Sequence, residues 1–409
     1  MDFIVKYKLK YSLVKLNNFV KNKSNMSSSL FFQSDVKDPY SIYKLMLDKN
    51  PVYWDETNQI WAIYSYEYCA EILKSSQVEI PIVNPNNEQK LNEFALQILN
   101  NLTRLSNGIQ HEITREIALL LFSNIKSIAI DQIISQLIKK DLSDNRIDWV
   151  NSVCKKLPIL SILKSFGFEE KDCDFICEKI DSLSKIMLPK KTEEQVKLIN
   201  ENAEKLYSII EKHLSTLPFY KSLLVKISEK YSIIAEEITP MAISNFIGLC
   251  IQSYDAGRGI LSNSLLQIIN NKSFLNKKEI EKTVIETLRF DPPIHNTRRI
   301  SIGDFYIGES QIKKGDSILI VLASANRDAQ KFENAMDFDI ERTNNHENLT
   351  FGIGGHMCLA KYFSINLATE ALSYLVNEYK AIALLENKIE YEPLINARLP
   401  KDIWITLNN

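Results

Sequence analysis

Cys358 stands directly after a glycine-rich turn, in the run Phe351-Gly352-Ile353-Gly354-Gly355-His356-Met357-Cys358-Leu359-Ala360, and just before an apolar stretch with helical periodicity. Glycines let a backbone take φ values other residues avoid, so a chain carrying Gly352 and Gly354 can pass close under a flat macrocycle. A helix beginning at the cysteine offers amide donors and a positive dipole end, the two features that stabilise a thiolate. The chemistry such a thiolate suits is ligation of haem iron, where electron donation from sulfur favours O–O cleavage over simple oxygen storage. A buried free cysteine is the bland alternative. A thiol nucleophile paired with His356 fits poorly, because residues two apart on a turn rarely face each other and no orienting acid is evident.

Three further constellations lie upstream. His111-Glu112-Ile113-Thr114-Arg115 sets a histidine and an arginine four apart on a helix whose apolar side continues through Ile117, Leu121 and Phe122. Two cations one turn apart make a clamp for an anion, although a solvated helix face has the same pattern. Glu286 and Arg289 are three apart on a helical stretch that ends at Asp291-Pro292-Pro293. Such a pair, if exposed, contributes only a few tenths of a kcal/mol. The third is Gln252-Ser253-Tyr254-Asp255-Ala256-Gly257-Arg258-Gly259, in a long apolar helix that opens with Thr239 as cap and Pro240 in the first turn.

Taken in order, these segments resemble the cytochrome P450 family. The cysteine run resembles its haem signature, Phe-Gly-x-Gly-x-His/Arg-x-Cys-x-Gly, with Ala360 in place of the last glycine. The resemblance covers about residue 36 to the C-terminus, including Asp38-Pro39-Tyr40, Lys314-Gly315-Asp316 and Ala325-Asn326-Arg327-Asp328. It implies a mainly α fold with small β-sheets, the cytochrome P450 fold, and haem b held by the Cys358 thiolate, with Phe351 and Gly352 beneath it. His111, Arg115, Arg299 and His356 would hold the propionates. Glu286 and Arg289 would be structural, pairing with Arg342 in the loop before the cysteine. Asp255 would feed protons to reduced oxygen.

Composition agrees. At 409 residues, 45% hydrophobic, the chain can bury a large core, and no Pro/Gly/Ser linker divides it. A single domain over residues 36–409 is expected, preceded by a flexible extension, residues 1–35. The net charge of −2 argues against a general nucleic-acid binder. Cys173 and Cys177 lack the companions a zinc site needs, and the cysteine usage suits a reducing, cytoplasmic setting. Lysines alternating with apolar residues in 1–25 allow weak contact with an anionic membrane surface. No apolar run approaches the roughly twenty residues a transmembrane helix requires, and lysines interrupt any signal-peptide core.

The distal helix departs most from the family, which usually shows Ala/Gly-Gly-x-Asp/Glu-Thr there. Asp255 matches the acid, Ala256 replaces the threonine, and Gln252 and Ser253 replace the small pair. Gly257 and Gly259 each cost about 1 kcal/mol relative to alanine inside a helix, which points to bending, to close approach of something bulky, or to helix packing. Without the threonine hydroxyl, ordinary hydroxylation should lose reduced oxygen as peroxide unless Ser253, Gln252, a water or the substrate completes the proton path.

The expected activity is oxidation of a small organic or natural-product-like substrate with O2, by hydroxylation or coupling. Electrons would come from a ferredoxin or flavodoxin-type donor. A peroxide-dependent oxidase and a catalytically inactive haem-binding partner protein are the alternatives. Substrate-facing expectations are residues 94–106 and 183–197, Tyr254, and the segment from Ile294 to Asn296, in which His295 suits an exposed turn equally well. Ser364-Ile365-Asn366-Leu367 replaces the Ala-Arg-x-Glu of many bacterial members, consistent either with altered donor docking or with packing.

Overall fold

A computed structural model describes residues 28–82, 90–188, 191–271, 276–386 and 388–408. In chain order the elements that frame the site begin with α1 (Pro39–Lys49), β1 (Val52–Asp55), β2 (Ile60–Ile63), α2 (Tyr66–Lys74), β3 (Val78–Glu79), α3 (Glu93–Asn101) and α4 (Gly108–Ser123). Then come α5 (Ile130–Asp141), β4 (Arg146–Asp148), α6 (Leu157–Ser165), α7 (Glu170–Ser184), α8 (Glu193–Thr216), α9 (Pro218–Tyr231), α10 (Ala235–Asn271) and α11 (Lys277–Phe290). The C-terminal part adds β5 (Thr297–Ser301), β6 (Phe305–Ile307), β7 (Ser310–Ile312), β8 (Ser317–Ile320), α12 (Leu322–Ala325), α13 (Lys361–Glu378), β9 (Ala381–Leu384) and β10 (Trp404–Asn408). The described chain is therefore mainly helical with small sheets, as its sequence predicts.

The axis of the molecule is α10, 37 residues long, packed by α3, α4 and α6 to α9 on several sides and by α11 and α13 on others. Its burial runs through Ala242, Ile243, Phe246, Ile247, Cys250, Ile251, Leu261 and Leu265. Each large apolar side chain so buried contributes about 1.5–3 kcal/mol. The helix starts at Ala235, one turn earlier than the sequence predicts, and Pro240 lies inside it. Pro240 cannot donate to the carbonyl of Glu236, but that end of the helix is exposed, so water can satisfy the freed group. Glu236 and Glu237 complement the helix dipole there.

The main sheet has strand order β1-β2-β8-β5-β3, with β2 and β8 parallel and the other pairs antiparallel. Its register sets Arg299 opposite Ile318. A three-stranded sheet, β4-β10-β9, and the β6-β7 hairpin complete the β structure. Between β8 and α13 the chain wanders without long elements, and it is tied down by the buried pair Glu286 and Arg289.

One boundary needs correction. Residues 28–35, assigned to a flexible extension on sequence, are packed. Gln33 is buried, its Nε2 donates to the Tyr43 hydroxyl (3.2 Å), and its N–H donates to Leu394 O (2.8 Å). Leu30 and Phe31 pack against the Tyr40 and Tyr43 cluster. The expected membrane contact through residues 1–25 lies outside the described residues. Among the described residues no single helix is long and apolar enough to cross a membrane; α9 and α10 pass together only as a pair bent by 119°.

Candidate functional site

The cysteine loop is built by short-range backbone bonds. Gly352 N–H donates to Leu349 O (2.8 Å), Met357 N–H to Gly354 O (3.1 Å), and Cys358 N–H to Phe351 O (2.9 Å). Gly352 and Gly354 have φ of +66° and +77°, and a Cβ on Gly354 would meet Leu73 O at 2.6 Å. Only glycine satisfies both conditions at 354. Ala360, where the family has glycine, has φ −86°, so a side chain there costs no backbone strain. Its N–H points at the Cys358 sulfur and favours the thiolate, as do the charges of Arg104 and Arg115, while burial pushes the thiol pKa up. Helix α13 begins immediately afterwards, at Lys361.

Cys358 keeps accessible surface although burial dominates its electrostatics. Arg104 and Asp255 share that combination. A group both accessible and desolvated faces an interior cleft. The other wall of this cleft is the stretch of α10 where Leu249, Gln252, Ser253 and Ala256 are each partly exposed while Cys250, Ile251 and Tyr254 are buried. Spacings of three, four and seven put those four on one helical face.

At one end of the cleft the structure brings His111, Arg115, Arg299 and His356 together. The His111 and His356 rings lie 3.9 Å apart between centroids, and the ring nitrogens of His111 face Gly355 O (3.2 Å) and Thr103 O (3.0 Å). Arg115 donates to Met357 O (3.1 Å). Arg299, buried on β5, donates to Arg298 O (2.7 Å) and Thr297 Oγ1 (3.3 Å). Burial brings its pKa down to about 10. Burial, then His111, Arg299 and Arg115, push His356 down to about 4. No carboxylate among the described residues pairs with Arg115 or Arg299. Four basic groups converge without an acid, which is the chemistry of a site for anionic arms. With the glycine-lined approach to Cys358, this fits a thiolate-ligated haem and its two propionates. Phe122 packs edge to face on Phe363 of α13 (5.6 Å, 85°), fixing α4 to the cysteine helix.

Asp255 does not stand alone. Arg258 Nη2 lies 3.1 Å from its carboxylate, and Nη1 lies 3.2 Å from Glu392 Oε1. Burial raises the Asp255 pKa, opposed by Arg258 and supported by Asp181 and Glu392. Ser253 donates its hydroxyl to Cys250 O (2.9 Å), and Gln252 Nε2 bonds Gly248 O (3.0 Å). Gly257 and Gly259 are packing glycines: a Cβ would meet Pro158 at 2.7 Å and Pro293 at 2.4 Å.

Two substrate-facing expectations are overturned. Tyr254 is 4% exposed and donates to Asp181 Oδ1 on α7 (2.9 Å), so it turns into the core. His295 is neither exposed nor in the cleft. It is fully buried between the hydroxyls of Tyr43 (3.0 Å) and Tyr40 (3.4 Å), and burial with the charges of Arg398 and Arg327 drives its pKa well below the usual range. Tertiary packing from α1, more than 250 residues upstream, covers it. Ile294 is half-buried against the apolar cluster of the main sheet.

Glu286, Arg289 and Arg342 form a connected group away from the cleft. Arg289 Nη2 meets Glu286 Oε1 at 2.6 Å with both side chains fully buried. Arg289 also caps the carbonyls of Asn326, Ala335 and Asp337, each at 2.9 Å. Arg342 Nε lies 3.4 Å from Glu286 and donates to Glu333, Asn334 and Asp337 carbonyls. Phe351 is half-buried against the main core. In α13, Ile365 and Leu367 are buried, so packing accounts for them. Arg104 is the cleft residue that sequence reasoning did not single out; its place in 94–106, seven residues before His111, was the available signal.

The cytochrome P450 family model matches residues 278–392. Along nearly its full length the chain is similar to the biotin biosynthesis cytochrome P450 of Bacillus subtilis, 24% identical over 397 residues, 93% of this chain and 99% of that one. It is also similar to cytochrome P450 119 of Sulfurisphaera tokodaii, 26% identical over 374 residues, 87% and 96% of the two chains. Among solved structures, P450BioI in complex with hexadec-9Z-enoic acid ligated acyl carrier protein superposes with a TM-score of 0.79 at 22% identity, covering 92% and 100%. CalO2 gives 0.82 at 16% identity, covering 93% and 99%. A glycine-shaped cysteine loop, a cluster of four basic side chains, the family-model match over residues 278–392 and relatives similar along nearly the full length agree: the chain has the cytochrome P450 fold and is similar to cytochrome P450 haem-thiolate oxidoreductases.

Proposed function

We propose that this protein oxidises a small organic, natural-product-like molecule with O2 by hydroxylation or oxidative coupling, drawing electrons from a ferredoxin or flavodoxin-type donor in the cytoplasm. The observation that carries the reading is the convergence on one cleft of Cys358, the cluster His111, Arg115, Arg299 and His356, and Asp255. Thiolate-bound haem supplies oxygen activation, because sulfur pushes electron density toward iron and favours O–O cleavage. The chain's own part is positioning and charge. The Ala360 N–H favours the sulfur anion, and Arg115, Arg299, His111 and His356 would hold the propionates by donating to their oxygens. Burial raises the Asp255 pKa against the pull of Arg258, which fixes the orientation of its carboxyl group, and that group is the candidate to relay protons from the cleft wall.

A peroxide-dependent reaction is the second reading, favoured by a specific arrangement. Ala256 has no hydroxyl, and the Ser253 hydroxyl is already given to Cys250 O. The proton path is therefore thinner on this wall than the fold usually provides. An inactive haem-binding partner would not need the desolvated acid, which weighs against that alternative.

A reduced carbon monoxide difference spectrum of the purified protein tests the ligand. A Soret band near the thiolate position, lost in Cys358→Ala, is the expected result; an unchanged spectrum in that variant sinks the reading. Turnover of a screened compound with a surrogate ferredoxin and reductase, against hydrogen peroxide alone, separates the two reactions.

A further inference from the structure

Gly259 lets a distant piece of chain settle directly on α10. A Cβ there would meet Pro293 at 2.4 Å and Leu399 at 2.6 Å, so any side chain would push away the segment that runs from Tyr391 to Pro400. That segment is well braced. Tyr391 bridges Pro400, Glu392 N–H donates to Leu399 O (2.8 Å), and Leu394 N–H donates to Glu392 O (2.8 Å). Arg398 ties it down from the other side. Its backbone N–H donates to Pro293 O (2.9 Å), and its guanidinium lies 3.6 Å from the centre of the Tyr391 ring while capping the carbonyls of Gln33, Val36 and Lys37 (3.2, 3.3 and 3.1 Å). Glu392 is thereby fixed with its carboxylate 3.2 Å from Arg258 Nη1.

Arg258 therefore stands between two acids. Its Nη2 lies 3.1 Å from Asp255 Oδ1, its Nη1 serves Glu392, and its Nε is buried without a hydrogen-bond partner among the described residues. The Arg258 side chain is 5% exposed, against 39% for Asp255 and 26% for Glu392. A guanidinium binds a single carboxylate best with two parallel bonds. Here one arm is already engaged, and the pair with Asp255 is made through Nη2 alone. Other charges around Asp255 have partners of their own: Asp181 on α7 is held by Tyr254 (2.9 Å) and Lys185 (3.1 Å). Arg104, before α4, feels the Asp255 charge as well. Burial raises the Asp255 pKa, Arg258 lowers it, and Asp181 and Glu392 raise it. We propose that Glu392 is a positioning residue for the distal acid: by holding one arm of Arg258 it keeps the guanidinium from closing on both oxygens of Asp255, and so leaves that carboxyl able to take up and release a proton. The inference rests on the haem-thiolate reading above for the use of that proton, and not for the ion-pair geometry.

The test reads the Asp255 carboxyl directly, by infrared difference titration of the purified full-length chain across the pH range in which it stays folded. The band of the protonated carboxyl is assigned by its loss in Asp255→Asn. Glu392→Gln keeps the shape of the side chain and removes its charge, and it should lower the Asp255 midpoint by about one pH unit, the low end of what a neighbouring charge does. In an Arg258→Gln background the same change should have little further effect, because the guanidinium that transmits it is gone. With a surrogate ferredoxin and reductase, the alkaline limb of dioxygen consumption should move down with the midpoint in Glu392→Gln. An unmoved midpoint in that variant overturns the proposal, whether or not the variant loses stability. So does a shift of equal size in the Arg258→Gln background, which would make Glu392 a direct field on Asp255 rather than a residue acting through Arg258. A wild type that shows the midpoint shift but lacks the thiolate carbon monoxide band would sink the haem-thiolate reading and still support this coupling.

Discussion

The two walls of the cleft are built by different means. On the cysteine side, the shape follows from bonds that span a few residues: Gly352 to Leu349, Met357 to Gly354, Cys358 to Phe351. On the distal side, the contacts that fix the helix against the rest of the molecule are long-range. Tyr254 reaches Asp181, 73 residues away, and Arg258 reaches Glu392, 134 residues away. Gly257 and Gly259 make room for Pro158, Pro293 and Leu399. A wall made of local turns tolerates little sequence change because each glycine carries a backbone requirement. A wall made of side chains on a helix keeps its backbone whatever those side chains are, so its chemistry is free to drift, and here Ala256 replaces a hydroxyl.

If that contrast is right, perturbing the support of the cysteine side should cost folding, and perturbing the distal side should cost chemistry. Glu286→Gln removes the partner of Arg289 and Arg342, which tie down the segment 326–342 that leads into the cysteine loop. It should destabilise the protein by about 3–5 kcal/mol, read by urea unfolding, because a buried charge is left uncompensated. A loss below 1 kcal/mol would mean the meander is held elsewhere. Asp255→Asn should leave stability and haem content nearly unchanged while turnover falls about a hundredfold, the lower range for a positioned proton donor. Intact turnover would show that protons enter by another route.

Ala256→Thr sharpens the comparison from the other direction. Restoring a hydroxyl on the cleft-facing wall should raise the ratio of product formed to dioxygen consumed by a few-fold, measured with an oxygen electrode and chromatography. No change would favour the peroxide-driven reading. The smallest effect concerns His295, which belongs to neither wall. Its pKa is depressed in the folded state, so the unfolded chain binds more protons below the ordinary value of 6.5. Stability from this residue is complete above that value and falls as pH drops through it, since ∂ΔG/∂pH is positive where the unfolded state holds the extra proton. A His295→Gln variant should show a flatter decline of Tm between pH 6.5 and about 5 than the wild type; parallel curves would contradict the buried neutral ring.

The cysteine loop and its glycines, the acid at 255 and the His111 and Arg115 pair were legible in the sequence, because each depends on spacing along one turn or one helix. The Glu286 and Arg289 pair was visible as spacing, but its burial was not, since an exposed pair has the same letters. His295 looked like a turn residue beside two prolines; the tyrosines that enclose it come from α1. The turn Thr103–Leu105 carried no signal of its own, and only its anchoring to Asn245 and His111 fixes it beside the long helix. The packed segment 28–35 has few strong signals of its own and is ordered by contacts with α1 and with the backbone near Leu394.

The sequence by itself determined the glycine-shaped turn that presents Cys358, the helical class of the fold and the position of Asp255 on its long helix, because backbone geometry and helical periodicity act over a handful of residues. Tertiary structure alone decided which charges are desolvated and which arginine pairs with which acid. Burial and ion pairing depend on atoms brought together from distant parts of the chain, and no local pattern encodes that encounter.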